Sequence, residues 1–86
     1  MSYYVYMILT KINDRYISYV GYTNNLHKRI NNHNNSKGAK FTKGKMWNLI
    51  YTEKYSSKNE AMKNEFRLKK NKLKRNLIKL NYINSL

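Results

Sequence analysis

Two runs of strand-forming residues, separated by a short polar turn, constrain this chain more tightly than anything that follows them. Residues 3–10 read Tyr-Tyr-Val-Tyr-Met-Ile-Leu-Thr and residues 16–21 read Tyr-Ile-Ser-Tyr-Val-Gly. Aromatic and β-branched side chains suit a pleated, half-buried surface. Between the runs, residues 11–15 are polar but for Ile12 and carry Asn13 and Asp14, residue types whose short side chains bond nearby backbone and tolerate left-handed conformations. The pattern predicts an antiparallel hairpin, and a hairpin must find partners to cover its apolar faces.

The rest of the chain supplies them. Thr23 can cap a helix from Asn24 to about Asn34, with Leu26 and Ile30 as its apolar stripe at i, i+4. Residues 35–45 form a basic loop with two of the three glycines. Trp47–Tyr55 alternates as a third strand. Ser57 followed by Glu60 is a capping-box pattern. It opens a helix to about Lys70, with Ala61, Met62 and Phe66 directed inward, and a last helix follows over Leu73–Ile83. The order ββαβαα predicts an α+β fold: a three-stranded, mainly antiparallel sheet flanked by helices, in one domain over residues 1–86.

Charge narrows the function. Eighteen Lys and Arg oppose four Asp and Glu, a net charge of +14, which calls for a polyanionic partner. There are no cysteines, so disulfides and thiolate metal sites are excluded. No stretch suits a bilayer span, and the apolar start reads as a strand rather than a signal peptide. A cytoplasmic protein that binds nucleic acid, with no membrane attachment, is the expectation.

The four acids limit the chemistry further. Asp14 belongs to the turn, Glu60 to the cap, and Glu53 to the surface of the third strand. Glu65 lies four residues after Ala61 with Met62 and Phe66 beside it. An acid at the apolar edge of a helix needs a cation, either a divalent metal or a Lys or Arg. Several convergent carboxylates, as a two-metal site requires, are not available. A Mg²⁺ ion that keeps most of its waters would suit one carboxylate. Arg29 and His33 are spaced i, i+4 and share a helix face. The arginine fork suits a phosphate undergoing substitution, although an ordinary phosphate contact would look the same. The histidine can move a proton, bind phosphate, or simply sit on the last helical carbonyls. His27 faces elsewhere on that helix and reads as a surface residue.

Tyr4-Val5-Tyr6 in the first strand, Tyr19-Val20-Gly21 in the second, Arg29 and His33 on the first helix, and Glu65 on the next form an ordered set. With Gly21-Tyr-Thr-Asn-Asn-Leu-His-Lys-Arg and Gly38-Ala-Lys-Phe-Thr, this set resembles the GIY-YIG nuclease family, in particular its small stand-alone bacterial members of the YhbQ and YazA type. Tyr4 replaces the first glycine of the family motif, and Tyr22 stands where DNA-repair relatives carry a lysine.

The resemblance implies a metal-dependent endonuclease that hydrolyses DNA phosphodiester bonds with one Mg²⁺, for which Mn²⁺ can substitute, and with no organic cofactor. It implies a catalytic set of Tyr6, Tyr19, Arg29, His33 and Glu65, with Glu65 as metal ligand. Tyr19 is favoured as base or water-positioner and Tyr6 as its support. Gly21 is expected to let the backbone approach phosphate or turn into the helix. Lys37, Lys40, Lys43 and Lys45 are expected to bind phosphates without regard to sequence, and Phe41 to stack on an unpaired base or to anchor the loop. Specificity is expected to be low or set by strand structure, single strands included. The alternative is a basic nucleic-acid-binding module that keeps this fold without catalysis.

Overall fold

A computed structural model describes residues 1–86. The hairpin is as the sequence indicates: β1 (Tyr3–Ile12) pairs antiparallel with β2 (Arg15–Thr23), with Ile12 opposite Arg15. Asn13 and Asp14 therefore form a two-residue turn, and both have positive φ, 50° and 65°. That is the condition for the turn type whose twist matches paired strands. The third strand, β3 (Asn48–Tyr55), adds to the other edge of β1, giving the order β2-β1-β3, antiparallel throughout. A register shift between Met7 and Ile8 leaves Ile50 as an extra residue in β3.

β1 is thus the central strand, and Val5 to Thr10 are all buried. The unbroken apolar run records burial on both faces, since a strand with one wet face would alternate. On one face Val5, Met7 and Val20 pack with Ala61 and Leu68 of α2 (Lys58–Lys70) and with Ile78 of α3 (Lys72–Asn84). On the other, Tyr6, Ile8 and Trp47 pack with Ile17, Tyr19, and Leu26 and Ile30 of α1 (Leu26–Asn34). Each fully buried aliphatic side chain contributes roughly 1.5–3 kcal/mol relative to exposure. The sheet is a middle layer, with α1 and the loop after it on one side and α2–α3 on the other. No helix is long and apolar enough to cross a membrane.

Several local expectations change. Asn25, not Thr23, caps α1, its side chain accepting from the Lys28 amide at 3.1 Å, while Thr23 accepts from the Asn25 amide just upstream. The loop contains a 3-10 turn over Lys40–Thr42. Met62 and Phe66 face outward. The sheet-facing stripe of α2 runs instead through Ala61, Asn64, Glu65 and Leu68, because i, i+3, i+4, i+7 spacing from Ala61 selects those positions. Phe66 lies under Lys70 as a cation–π pair, 4.6 Å to the ring centroid. Ser57 caps α2 as expected, accepting from the Glu60 amide at 3.2 Å.

Candidate active site

Tyr6 and Tyr19 project from the same face of the hairpin. Tyr6 is paired with Gly21, and Tyr19 with Ile8, two residues along β1. The Tyr6 ring lies across Gly21: a Cβ there would sit 2.6 Å from Cζ of Tyr6. Gly21 is inside β2 without positive φ. It admits the Tyr6 ring and does not turn the chain.

Helix α1 brings Arg29 and His33 over that ring. Arg29 Nε–H donates to Tyr6 Oη at 3.1 Å, and Tyr6 Oη lies 2.8 Å from His33 Nε2. His33 Nδ1 lies 2.8 Å from Thr42 Oγ1, and that hydroxyl is 2.8 Å from the Ala39 carbonyl oxygen. A carbonyl can only accept, so the one threonine proton goes to Ala39. Thr42 Oγ1 then accepts from Nδ1–H, leaving Nε2 to accept the Tyr6 proton. Every donor in the chain points the same way, from Arg29 through Tyr6, His33 and Thr42 to Ala39.

Tyr6, His33 and Thr42 have no solvent-exposed surface. Burial pushes the Tyr6 hydroxyl up to about 12, against the lowering effect of Arg29. Burial, and then the Arg29 charge, lower the His33 pKa, so the ring is neutral. Sealed and bonded at both nitrogens, His33 cannot reach a phosphate or a leaving oxygen. The expected proton or phosphate contact is replaced by support: His33 holds Tyr6, and Tyr6 holds Arg29. The hydrogen bond to Tyr6 also raises the Arg29 pKa, so the guanidinium stays charged.

The accessible part of the site is Arg29, Tyr19, Glu65 and Phe41. Tyr19, after Tyr6, also favours the charged form of Arg29. The Tyr19 ring meets His33 edge-on at 5.2 Å and stacks on Phe41 at 6.2 Å and 21°. Phe41 is half exposed. Tyr19 and Phe41, with Ser18, Lys69 and Arg75, line a cleft of about 280 Å³. The Glu65 carboxylate is near enough to Tyr6 to disfavour its ionisation. The Glu65 side chain is 19% exposed, and its ion-pair partner is Lys69, one helical turn on, at 3.4 Å. Such a pair, with a half-exposed lysine, is weak and displaceable.

No three His, Cys, Asp or Glu side chains cluster anywhere in the molecule. An all-protein metal cage is therefore absent, whereas a hard ion held by one carboxylate and otherwise by water fits the donors present.

The basic residues of the loop divide. Lys37, Lys40 and Lys43 are exposed. Lys45 instead turns back on its own loop, donating to the Phe41 carbonyl at 2.9 Å and lying over the Phe41 ring. Thr42, Gly38 and Trp47 also belong to the site; Gly38 and Thr42 bound the Gly38-Ala-Lys-Phe-Thr stretch of the family pattern, but no role could be read for them from the sequence. Trp47 Nε1–H donates to the Thr42 carbonyl at 3.1 Å. Asn34 grips the Trp47 backbone, accepting from its amide at 2.6 Å and donating to its carbonyl at 3.3 Å. A Cβ on Gly38 would lie 2.5 Å from His33 Nδ1.

The model of the GIY-YIG catalytic domain matches residues 2–79 of the chain. The chain is 44% identical over 63 residues to UPF0213 protein YazA of Bacillus subtilis, a stretch covering 72% of this chain and 61% of that protein. It is 46% identical over 63 residues to UPF0213 protein SH2523 of Staphylococcus haemolyticus, covering 72% and 73%. The solution NMR structure of UPF0213 protein BH0048 from Bacillus halodurans aligns with 93% of this chain and 85% of its own, at 37% identity and a TM-score of 0.49.

Proposed function

The chain belongs to the GIY-YIG nuclease family, and from that premise we propose that it is an endonuclease hydrolysing DNA phosphodiester bonds with a single divalent metal ion. The observation that carries this reading is Arg29, fixed at Nε by a buried tyrosine that itself lies near enough to Tyr19 and Glu65 for both to disfavour its ionisation.

Anchoring Nε leaves the terminal nitrogens of Arg29 to meet two phosphoryl oxygens. An arginine held before substrate arrives needs little reorganisation to stabilise charge developing there. Tyr19, whose ring is only partly buried, positions the attacking water and, in its deprotonated phenolate form, receives the water's proton. Tyr6 and His33 act as the support behind Arg29. Glu65 would hold Mg²⁺ or Mn²⁺ after releasing Lys69. Such an ion, when bound, supplies Lewis-acid stabilisation of the phosphoryl and leaving oxygens.

Lys37, Lys40 and Lys43 face phosphates, which position the strand without reading it. Phe41, half exposed at the mouth of the site, suits a base that is not paired. Cleavage of single-stranded or locally unpaired DNA, with little sequence preference, is the specificity this surface supports. The test is a panel of labelled single-stranded, duplex and branched DNA, and RNA, with Mg²⁺ or chelator. Metal-dependent cutting, strongest on unpaired DNA, supports the proposal. Tight binding without cutting under any divalent metal would favour the non-catalytic module.

A further inference from the structure

The direction of the buried hydrogen-bond chain is set at its far end, outside the residues that meet substrate. We propose that Thr42 is a positioning residue: through the tautomer of His33 and the hydroxyl of Tyr6 it fixes the orientation of Arg29. The role assigned to Arg29 rests on the nuclease reading, whereas the wiring itself does not.

The Ala39 carbonyl oxygen receives both the Thr42 amide, at 3.0 Å, and the Thr42 hydroxyl, at 2.8 Å. The Thr42 hydroxyl therefore offers His33 only a lone pair, and Nδ1 must carry the ring proton. Nε2 is left bare and takes the Tyr6 proton. The Tyr6 oxygen in turn presents a lone pair to Arg29 Nε–H. In the opposite tautomer, Nε2–H would point at the Tyr6 oxygen, the tyrosine proton would need another acceptor, and the Arg29 Nε–H would compete for what remains. The charged and titratable groups facing His33 are Tyr6 from β1, Tyr19 from β2 and Arg29 from its own helix. None of them can replace Thr42 at Nδ1.

The loop is built to hold that hydroxyl in place. Thr42 is buried, its carbonyl is tied by the Trp47 indole, and Asn34 closes the loop on the Trp47 backbone. Gly38 packs its bare α-carbon against His33 Nδ1, where a side chain would not fit. Phe41, next to Thr42 on the same turn, faces the opposite way onto Tyr19 and solvent. One turn thus joins the substrate-facing surface to the buried wiring.

The experiment compares Thr42→Val, which keeps the shape and removes the hydroxyl, with Thr42→Ser, which restores it. Long-range ¹H–¹⁵N spectra report which ring nitrogen of His33 is protonated, and the Arg29 Nε–H signal reports whether that proton is held. In wild type and Thr42→Ser we expect a protonated Nδ1, a bare Nε2 and a protected Arg29 Nε–H. In Thr42→Val we expect mixed tautomers and loss of that protection. A histidine in the wrong tautomer costs on the order of 10⁴ in serine-protease catalysis. Acting here through two further hydrogen bonds, the loss should be smaller, about tenfold or more in single-turnover cleavage, with most of it recovered by Thr42→Ser.

A protonated Nε2 in the wild type overturns the proposal whether or not Thr42→Val folds. A changed tautomer with wild-type cleavage overturns the positioning role. A protein that cuts nothing would remove the nuclease reading, and the ring nitrogens and the Arg29 signal would still decide whether Thr42 sets the wiring.

Discussion

Gly38→Ala should be among the most damaging single-methyl additions possible in this chain. The new Cβ would lie 2.5 Å from His33 Nδ1, 3.0 Å from Cε1 and 3.1 Å from Cγ. All are inside van der Waals contact, and the ring cannot move aside, because it is fully buried and bonded at both nitrogens. Overpacking of this kind costs about 1–3 kcal/mol. Relief by breaking the Nδ1–Thr42 bond would leave buried polar groups unmatched, at about 1–3 kcal/mol more. The lower entropy of an unfolded alanine returns only about 0.4–1 kcal/mol. A net loss of about 3 kcal/mol is expected, read as a urea midpoint lowered by roughly 1–3 M for an m-value of about 1–3 kcal/mol/M. Gly44→Ala is the control: it meets no atom within 4 Å and carries only the strain of φ +73°, about 1–2 kcal/mol. In a His33→Ala background, Gly38→Ala should lose most of its effect, a coupling of about 1–3 kcal/mol. A Gly38→Ala protein within about 0.5 kcal/mol of wild type, the range of an ordinary surface change, would refute the packing argument.

Arg29→Lys should impair cleavage nearly as much as Arg29→Ala, on the order of 10²–10³ in single-turnover rate, because lysine has neither the Nε–H that Tyr6 holds nor the planar fork; a lysine variant within about threefold of wild type, roughly 0.6 kcal/mol, would make Arg29 an ordinary phosphate contact. Stability should fall as pH drops below the ordinary histidine value of 6.5, since His33 is neutral when folded with a lowered pKa and the unfolded chain takes up the proton first. The dependence continues down to the folded pKa, and urea midpoints for wild type and His33→Gln would show it, the variant flattening the slope; equal slopes would count against a neutral buried ring. Replacing Lys37, Lys40 and Lys43 together by Ala should weaken binding to all sequences alike and flatten a log–log salt slope of about −3 to −5, for roughly 4–6 phosphates neutralised; fluorescence anisotropy across salt concentrations tests it, and an unchanged slope would move the interface elsewhere.

The hairpin was legible because its signals are local: β-forming runs, two turn residues, and an apolar stretch long enough to be buried on both faces. The capped helix at Ser57 was legible for the same reason. Arg29 and His33 could be placed together from helical spacing alone, Glu65 stood out as an acid at a helix's apolar edge, and the family pattern added the tyrosines and joined Glu65 to the set. What the sequence concealed is how these groups face one another. Burial of His33 depends on a loop closing over it, and its Thr42 partner is nine residues away in a stretch that reads as a solvated basic loop. Nothing periodic marks Thr42, and the threonine hydroxyl is ordinary until Ala39 takes its proton. Gly21 looked like a turn or approach glycine, whereas its role and that of Gly38 are steric and set by rings from distant positions. On α2 the outward turn of Met62 and Phe66 was hidden because polar Asn64 and Glu65 occupy the sheet-facing stripe. The same inversion put Glu65 beside the site.

Single-turnover cleavage of a single-stranded DNA by wild type and Glu65→Ala, across a Mg²⁺ titration and in chelator, tests most directly whether this site is a one-metal nuclease. With Glu65 as the one protein ligand, wild type should cut with saturating dependence on Mg²⁺ and stop in chelator. Glu65→Ala should bind the strand as tightly as wild type, or slightly tighter for the acid removed, and cut at least about 10² more slowly, as removal of a transition-state electrostatic group commonly does. Cutting by Glu65→Ala at the wild-type rate, or cutting by wild type undiminished in chelator, would contradict the assignment.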